Sequence, residues 1–155
     1  MNLGVGRHMR ANFIGIAMAI ASSGSLAQSN MKDLIEKAHH DKAAIPSLVK
    51  ALHSGHVTII ASWSSPESTA ITIQDFIRDG QSYIPLFSME AEFKAEAAGS
   101  PYEQKGVSID ANLFFSMLHG SETLILNPRS ETPVTFSAQD LKAVVDPSRL
   151  PKLAK

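Results

Sequence analysis

A strand–cap–helix phrase occurs three times between Ile84 and Val145, and it constrains the fold more than any other feature of the chain. The copies are Ile84-Pro-Leu-Phe-Ser-Met-Glu-Ala-Glu-Phe, Val107-Ser-Ile-Asp-Ala-Asn-Leu-Phe-Phe and Val134-Thr-Phe-Ser-Ala-Gln-Asp-Leu. Each runs a short apolar strand into Ser or Asp and then into helical periodicity. Ser88, Asp110 and Ser137 stand where a short polar side chain can accept a hydrogen bond from an unpaired N–H of the first helical turn. Ser137, with Asp140 three residues on, makes a capping-box pattern. Leu113, Phe114, Met117 and Leu118 share one helical stripe after Asp110, and Leu141, Val144 and Val145 share one after Ser137. The first copy is looser, its stripe resting on Phe93 and Ala97. Gly120 is the expected end of the middle helix and Asp146-Pro147 of the last.

Upstream, residues 31–41 read as a helix with Leu34, Ile35 and Ala38 on one face. Residues 45–54 read as a second, with Pro46 in its first turn and Gly55 at its end. Val57 to Trp63 and Thr69 to Ile77 are β-branched runs joined by Ser64-Ser65-Pro66-Glu67-Ser68, the pattern of a hairpin. Asp79-Gly80 is a tight-turn signal before a strand over Tyr83–Phe87. Glu122 to Asn127 is a further strand, ended by Asn127-Pro128. The expected order is ααβββαβαββα. Helices separate some strands and not others, so the expected class is α+β: a single domain over residues 31–147, a mixed β-sheet with packed helices, followed by a short tail over 148–155.

Composition narrows the function classes. The chain has 155 residues, 44% of them hydrophobic and 19% charged, which suits one core of ordinary globular size. The net charge is −1, with no basic stripe, so nucleic acid is not an expected partner. The absence of cysteine excludes disulfides, thiolate metal sites and cysteine nucleophiles.

The first thirty residues have a different character. Arg7 and Arg10 stand in a start without acids, Phe13 to Ala21 is a short apolar run, and Ser25-Leu26-Ala27 offers small residues before a cut at Gln28. That is the pattern of a signal peptide over residues 1–27, which places the mature chain in the periplasm or outside the cell. The run is too short for a membrane-spanning helix, so no stable span is expected in the mature chain. The alternative is a cytoplasmic protein starting at Met31.

Ile84-Pro-Leu-Phe-Ser, the Asp110-Ala-Asn-Leu-Phe-Phe helix start, and Leu124-Ile-Leu-Asn-Pro-Arg-Ser before Val134-Thr-Phe-Ser resemble the SseB N-terminal domain family. The resemblance runs from about Met31 to Val145 and includes the paired helices around Ala44-Ile45-Pro46-Ser47-Leu48. It implies a small α/β domain with no established catalytic residue, and therefore none to carry over. The family has no obvious export signal, so the leader is a departure from it.

His39, His40, His53 and His56 lie on or after the first two helices, and His53 and His56 are three apart, a spacing that suits a surface metal site. No carboxylate stands at motif spacing, and histidines near helix C-termini are common for electrostatic reasons alone. There is no Gly-x-Ser-x-Gly elbow, and His119 is the only histidine of the second half. Gly4-Val-Gly6 does not follow a strand. Glu90, Glu92, Glu96 and Glu103 read as a solvated face. Trp63 and Tyr102 are aromatic anchors for a partner or parts of the core. The Asn127-Pro128-Arg129-Ser130 loop reads as a turn; the alternative is that it presents Arg129 to an anionic group or a partner carboxylate.

The expectation is a non-enzymatic binding or regulatory module with a protein partner. Trp63, Asn127 and Arg129 are the candidate contacts, on a surface formed by the sheet edge and the Trp63–Ser68 and Asn127–Ser130 loops. No catalytic residue, cofactor or metal is assigned. The alternatives are a small metal-dependent or hydrolytic enzyme using the N-terminal histidines, and a self-assembling adaptor joined through the apolar faces of the first two helices.

Overall fold

Two of the three expected caps form in the computed structural model, which describes residues 8–12, 25–65 and 70–152. Asp110 accepts from the Leu113 N–H at 2.9 Å and starts α4 (Ala111–Met117). Ser137 and Asp140 close a reciprocal capping box, at 3.2 and 3.1 Å, that starts α5 (Ala138–Lys142). Ser88 does not cap α3 (Glu90–Ala97): the N-cap is Met89, without a side-chain bond. Ser88 is held by Asn127 across the sheet instead. Both late helices are shorter than their stop signals implied, and α5 ends before Val144 and Val145, which still lie against the core.

The first helix, α1 (Ser25–His40), starts six residues before Met31. Asp41 caps a short 3₁₀ turn over Lys42–Ala44, and α2 (Ile45–His53) follows with Pro46 in its first turn. The strands are β1 (His8–Asn12), β2 (His56–Trp63), β3 (Ala70–Gln74), β4 (Phe76–Arg78), β5 (Gln81–Phe87), β6 (Gly106–Asp110), β7 (Thr123–Leu126) and β8 (Val134–Ser137). The run expected as one strand from Thr69 to Ile77 is divided at Asp75, whose carboxylate accepts from the Ser82 hydroxyl at 2.6 Å. Its two halves serve different partners: β3 pairs with β2, and β4 with β5. The remaining order from Met31 matches ααβββαβαββα. Apart from β1, α1 and the 25–27 segment within it, the leader pattern of residues 1–27 lies outside the described residues.

The sheet runs β1-β3-β2-β5-β7-β8, with β4 added to β5 and β6 to β2. Every pairing is antiparallel except β5 with β7, so the sheet is mixed. Because side chains alternate across a strand, the sheet separates its residues onto two faces. Val57, Ile59, Ala61, Ile84, Leu86, Leu124, Leu126, Val134 and Phe136 enter the main core with α1, α2, α4 and α5. The intervening Ile60 and Phe87 form a smaller cluster with Phe93 and Ala97 of α3, flanked by Phe76 and Tyr102. Among the described residues four helices cover one face, and α3 alone packs on the other. Among the described residues no helix is long and apolar enough to cross a membrane.

Candidate functional site

The thinly covered face is where the site lies, and local chemistry builds it. Asp79 and Gly80 both have positive φ, at 53° and 77°, which makes the primed two-residue turn that suits a hairpin's twist. That turn fixes the register: Arg78 faces Gln81 and Phe76 faces Tyr83. Phe76 and Tyr83 are thereby neighbours, with ring centroids 6.2 Å apart. Tyr102, brought in by the loop after α3, stands edge-on to Phe76 at 5.0 Å. Arg78 lies 5.3 Å over the Tyr83 ring and donates to the Pro128 carbonyl at 3.1 Å. Between these groups opens a cleft of about 730 Å³, with Ile60, Pro85 and Phe87 at its base and residues 97–102, Pro128 and Arg129 on its walls.

Asn127 holds the second wall in place. It is 3% exposed and has a left-handed backbone, φ 47°, which Asn tolerates better than most residues. Its Oδ1 accepts from the Ser88 N–H at 3.1 Å, and its Nδ2 donates to the Ser88 hydroxyl at 3.0 Å. Its own N–H donates to Leu86 O at 2.7 Å, and its carbonyl accepts from the Ser130 N–H and hydroxyl. The expected contact residue thus stands beneath the loop, and Arg129 is the residue that reaches the cleft.

Arg129 clamps the end of α3. Its backbone N–H donates to Glu96 Oε2 at 3.0 Å, and its Nη1 donates to the Glu96 carbonyl at 3.2 Å. Glu96 Oε1 is buried without a hydrogen-bond partner. Burial pushes the Glu96 carboxyl above its ordinary value; the Glu92 charge adds to this, while the Arg129 and Ser130 N–H groups and the Arg129 charge oppose it. Neither Arg78 nor Arg129 makes an ion pair among the described residues. The cleft therefore presents aromatic faces and guanidinium donors with capacity left.

Trp63 lies elsewhere. It ends β2 opposite Ile71, is 45% exposed and does not line the cleft. Most of the loop that follows it lies outside the described residues. Tyr102 is half-buried at the cleft wall. Sequence reasoning missed Phe76, Arg78 and Tyr83, and placed Glu96 on a solvated face. The Asp79-Gly80 turn carried the signal for the first three, since a two-residue hairpin sets Phe76 opposite Tyr83.

The histidines described beyond residue 30 do not gather. His39 bonds to the Pro133 carbonyl at 2.7 Å and touches His40 edge-on. His53 Nε2 donates to Asn112 Oδ1 at 2.7 Å; that oxygen also accepts from the Asp146 N–H. His119 bonds to Glu122. Among the described residues no three His, Asp or Glu side chains are placed to hold a metal ion. The apolar faces of the first two helices, Ile35, Ala38, Leu48, Val49 and Leu52, are spent inside the main core. Arg149 ties the tail down, donating to the His53 carbonyl and to Asp110.

No curated protein and no solved structure matches the chain. The sequence pattern of the SseB protein N-terminal domain matches residues 31–143, a span that holds every residue of the cleft. The chain belongs to the SseB N-terminal domain family.

Proposed function

We propose that this SseB-domain protein is a non-enzymatic binding or regulatory module that engages a protein partner through the cleft beside α3. The observation that carries this reading is the cleft itself: about 730 Å³ of open space lined by aromatic rings and two guanidiniums, the residue types enriched at the centres of protein contacts. The test is affinity capture with the wild-type protein and Arg129→Ala, alongside Lys50→Ala on the exposed surface of α2. The cleft variant loses partners and keeps its melting temperature, while the helix variant keeps both. Equal recovery by both variants overturns the assignment.

The same reading takes residues 1–27 as an export leader. Its support is Arg7 and Arg10, the apolar run and Ser25-Leu26-Ala27. A cut after Ala27 removes β1, with its pairing to β3, and the first three residues of α1. The intact mass of the native protein from fractionated cells decides the matter. A species starting at Gln28 in the periplasm or medium is expected, and one starting at Met31 in the cytoplasm overturns export.

A further inference from the structure

We propose that the cleft receives an extended acidic peptide segment, with an apolar or aromatic side chain among the rings and a neighbouring carboxylate on Arg78 and Arg129. This deepens the binding-module reading and rests on it. Two features of the cleft point to the same ligand.

The first is a free strand edge. Among the described residues β4 pairs only with β5, so its other edge has unpaired N–H and C=O groups. Phe76, Ile77 and Arg78 of this strand all line the cleft, and Ile77 is 47% exposed. An extended peptide can add to such an edge, gaining main-chain hydrogen bonds while the neighbouring pocket takes a side chain.

The second is the charge pattern. Each guanidinium has five N–H donors in a fork that matches a carboxylate. Arg78 uses one on Pro128 O and Arg129 one on Glu96 O. Among the described residues no acid of the cleft forms an ion pair with either guanidinium, and the Glu96 carboxyl, which feels the Arg129 charge, is the one acid close to Arg129. Glu96 Oε2 is already bonded to the Arg129 N–H, and Asp79 stands at the exposed tip of the turn.

The probe is a fluorescein-labelled, end-blocked peptide alternating Asp with Phe and Leu, compared with its Lys counterpart, by anisotropy. The acidic peptide binds the wild-type protein, weakens with salt and outcompetes the Lys peptide. Arg78→Gln and Arg129→Gln each weaken it by roughly tenfold, the loss of one charge-assisted contact. Ile77→Lys strengthens it and Ile77→Glu weakens it, while all four variants melt within a few degrees of wild type. Equal binding of the two peptides, or binding unchanged in the Arg78→Gln/Arg129→Gln double variant, overturns the proposal. So does binding of neither peptide. If Arg129→Ala still loses native partners in that case, only the assigned chemistry is wrong and the binding-module reading stands.

Discussion

On the helix side of the sheet, Leu86, Leu124 and Phe136 are 0, 0 and 1% exposed under four helices. On the opposite side, Phe76, Tyr83 and Tyr102 stay half-buried beside α3 alone. β5 serves both sides: Ile84 and Leu86 enter the main core, while Tyr83 and Phe87, each one residue away, line the cleft. Burial of a large apolar side chain is worth about 1.5–3 kcal/mol relative to exposure, so the helix side carries most of the stability. The cleft side holds large aromatic surface that is only partly withdrawn from water, and this is the kind of surface a partner can finish burying. The difference teaches that stability and recognition are separated by side-chain parity within a single layer.

The largest effect is expected from pairing Phe136→Ala with Tyr83→Ala. The first leaves a cavity in the main core and should cost about 3–5 kcal/mol by denaturant unfolding. The second trims a half-buried ring and should cost less than half as much. Equal costs would break the division between the faces.

Gly106→Ala sharpens the comparison from the α3 side. A Cβ at Gly106 meets the Phe93 ring at 2.4 Å, and Phe93 is 4% exposed, so the ring has little room to yield. The cost should be about 1–3 kcal/mol. Phe93→Leu in the Gly106→Ala background should return part of it, because the shorter side chain relieves the clash.

Asn127 tests whether the cleft wall is held by backbone or by side chain. Asn127→Gly keeps the left-handed conformation and loses the bonds to Ser88; Asn127→Ala loses both. Both should lower stability, the first through unpaired groups at about 1–3 kcal/mol. Ala should fall below Gly by about 1 kcal/mol more. Equal melting temperatures would show that φ 47° stores no strain.

The smallest effects are in the pH dependence, where two carboxylates act in opposite directions. For Glu122, burial raises the pKa, but the His119 and Gly120 N–H bonds and the His119 side chain together hold it below its ordinary value. A depressed folded value contributes stability that is present above the unfolded value, about 4.5, and lost as pH falls through the folded one. Glu96, raised by burial, contributes stability below about 4.5 that is lost as pH rises through its folded value. Glu96→Gln should therefore raise the melting temperature at neutral pH and converge with wild type in acid. Glu122→Gln should lower it at neutral pH and also converge in acid. Melting curves across pH check both signs.

Much of the scaffold was legible in the sequence because caps, turns and periodicity are local. Asp110 and the Ser137–Asp140 box act within four residues, so reading them needs no tertiary knowledge. Ser88 had the same local form, and its hydrogen bonds went to Asn127, thirty-nine residues away. The division of the 69–77 run at Asp75 likewise depends on Ser82 across a later strand. The candidate site was only partly legible. Arg129 was singled out from its loop and Tyr102 as an aromatic anchor, and both line the cleft. Phe76, Arg78, Tyr83 and Glu96 join them only through the β4–β5 register and the docking of α3.

The most direct test of the central claim is site-specific photo-crosslinking in cells. A photoreactive phenylalanine analogue replaces Tyr102 in the cleft in one strain and Lys50 on the helix side in another. The account predicts a discrete crosslinked partner from position 102 that is lost with Arg129→Ala, and none from position 50. A partner crosslinked from position 50 and not from position 102 would contradict it, and would move recognition to the helix side.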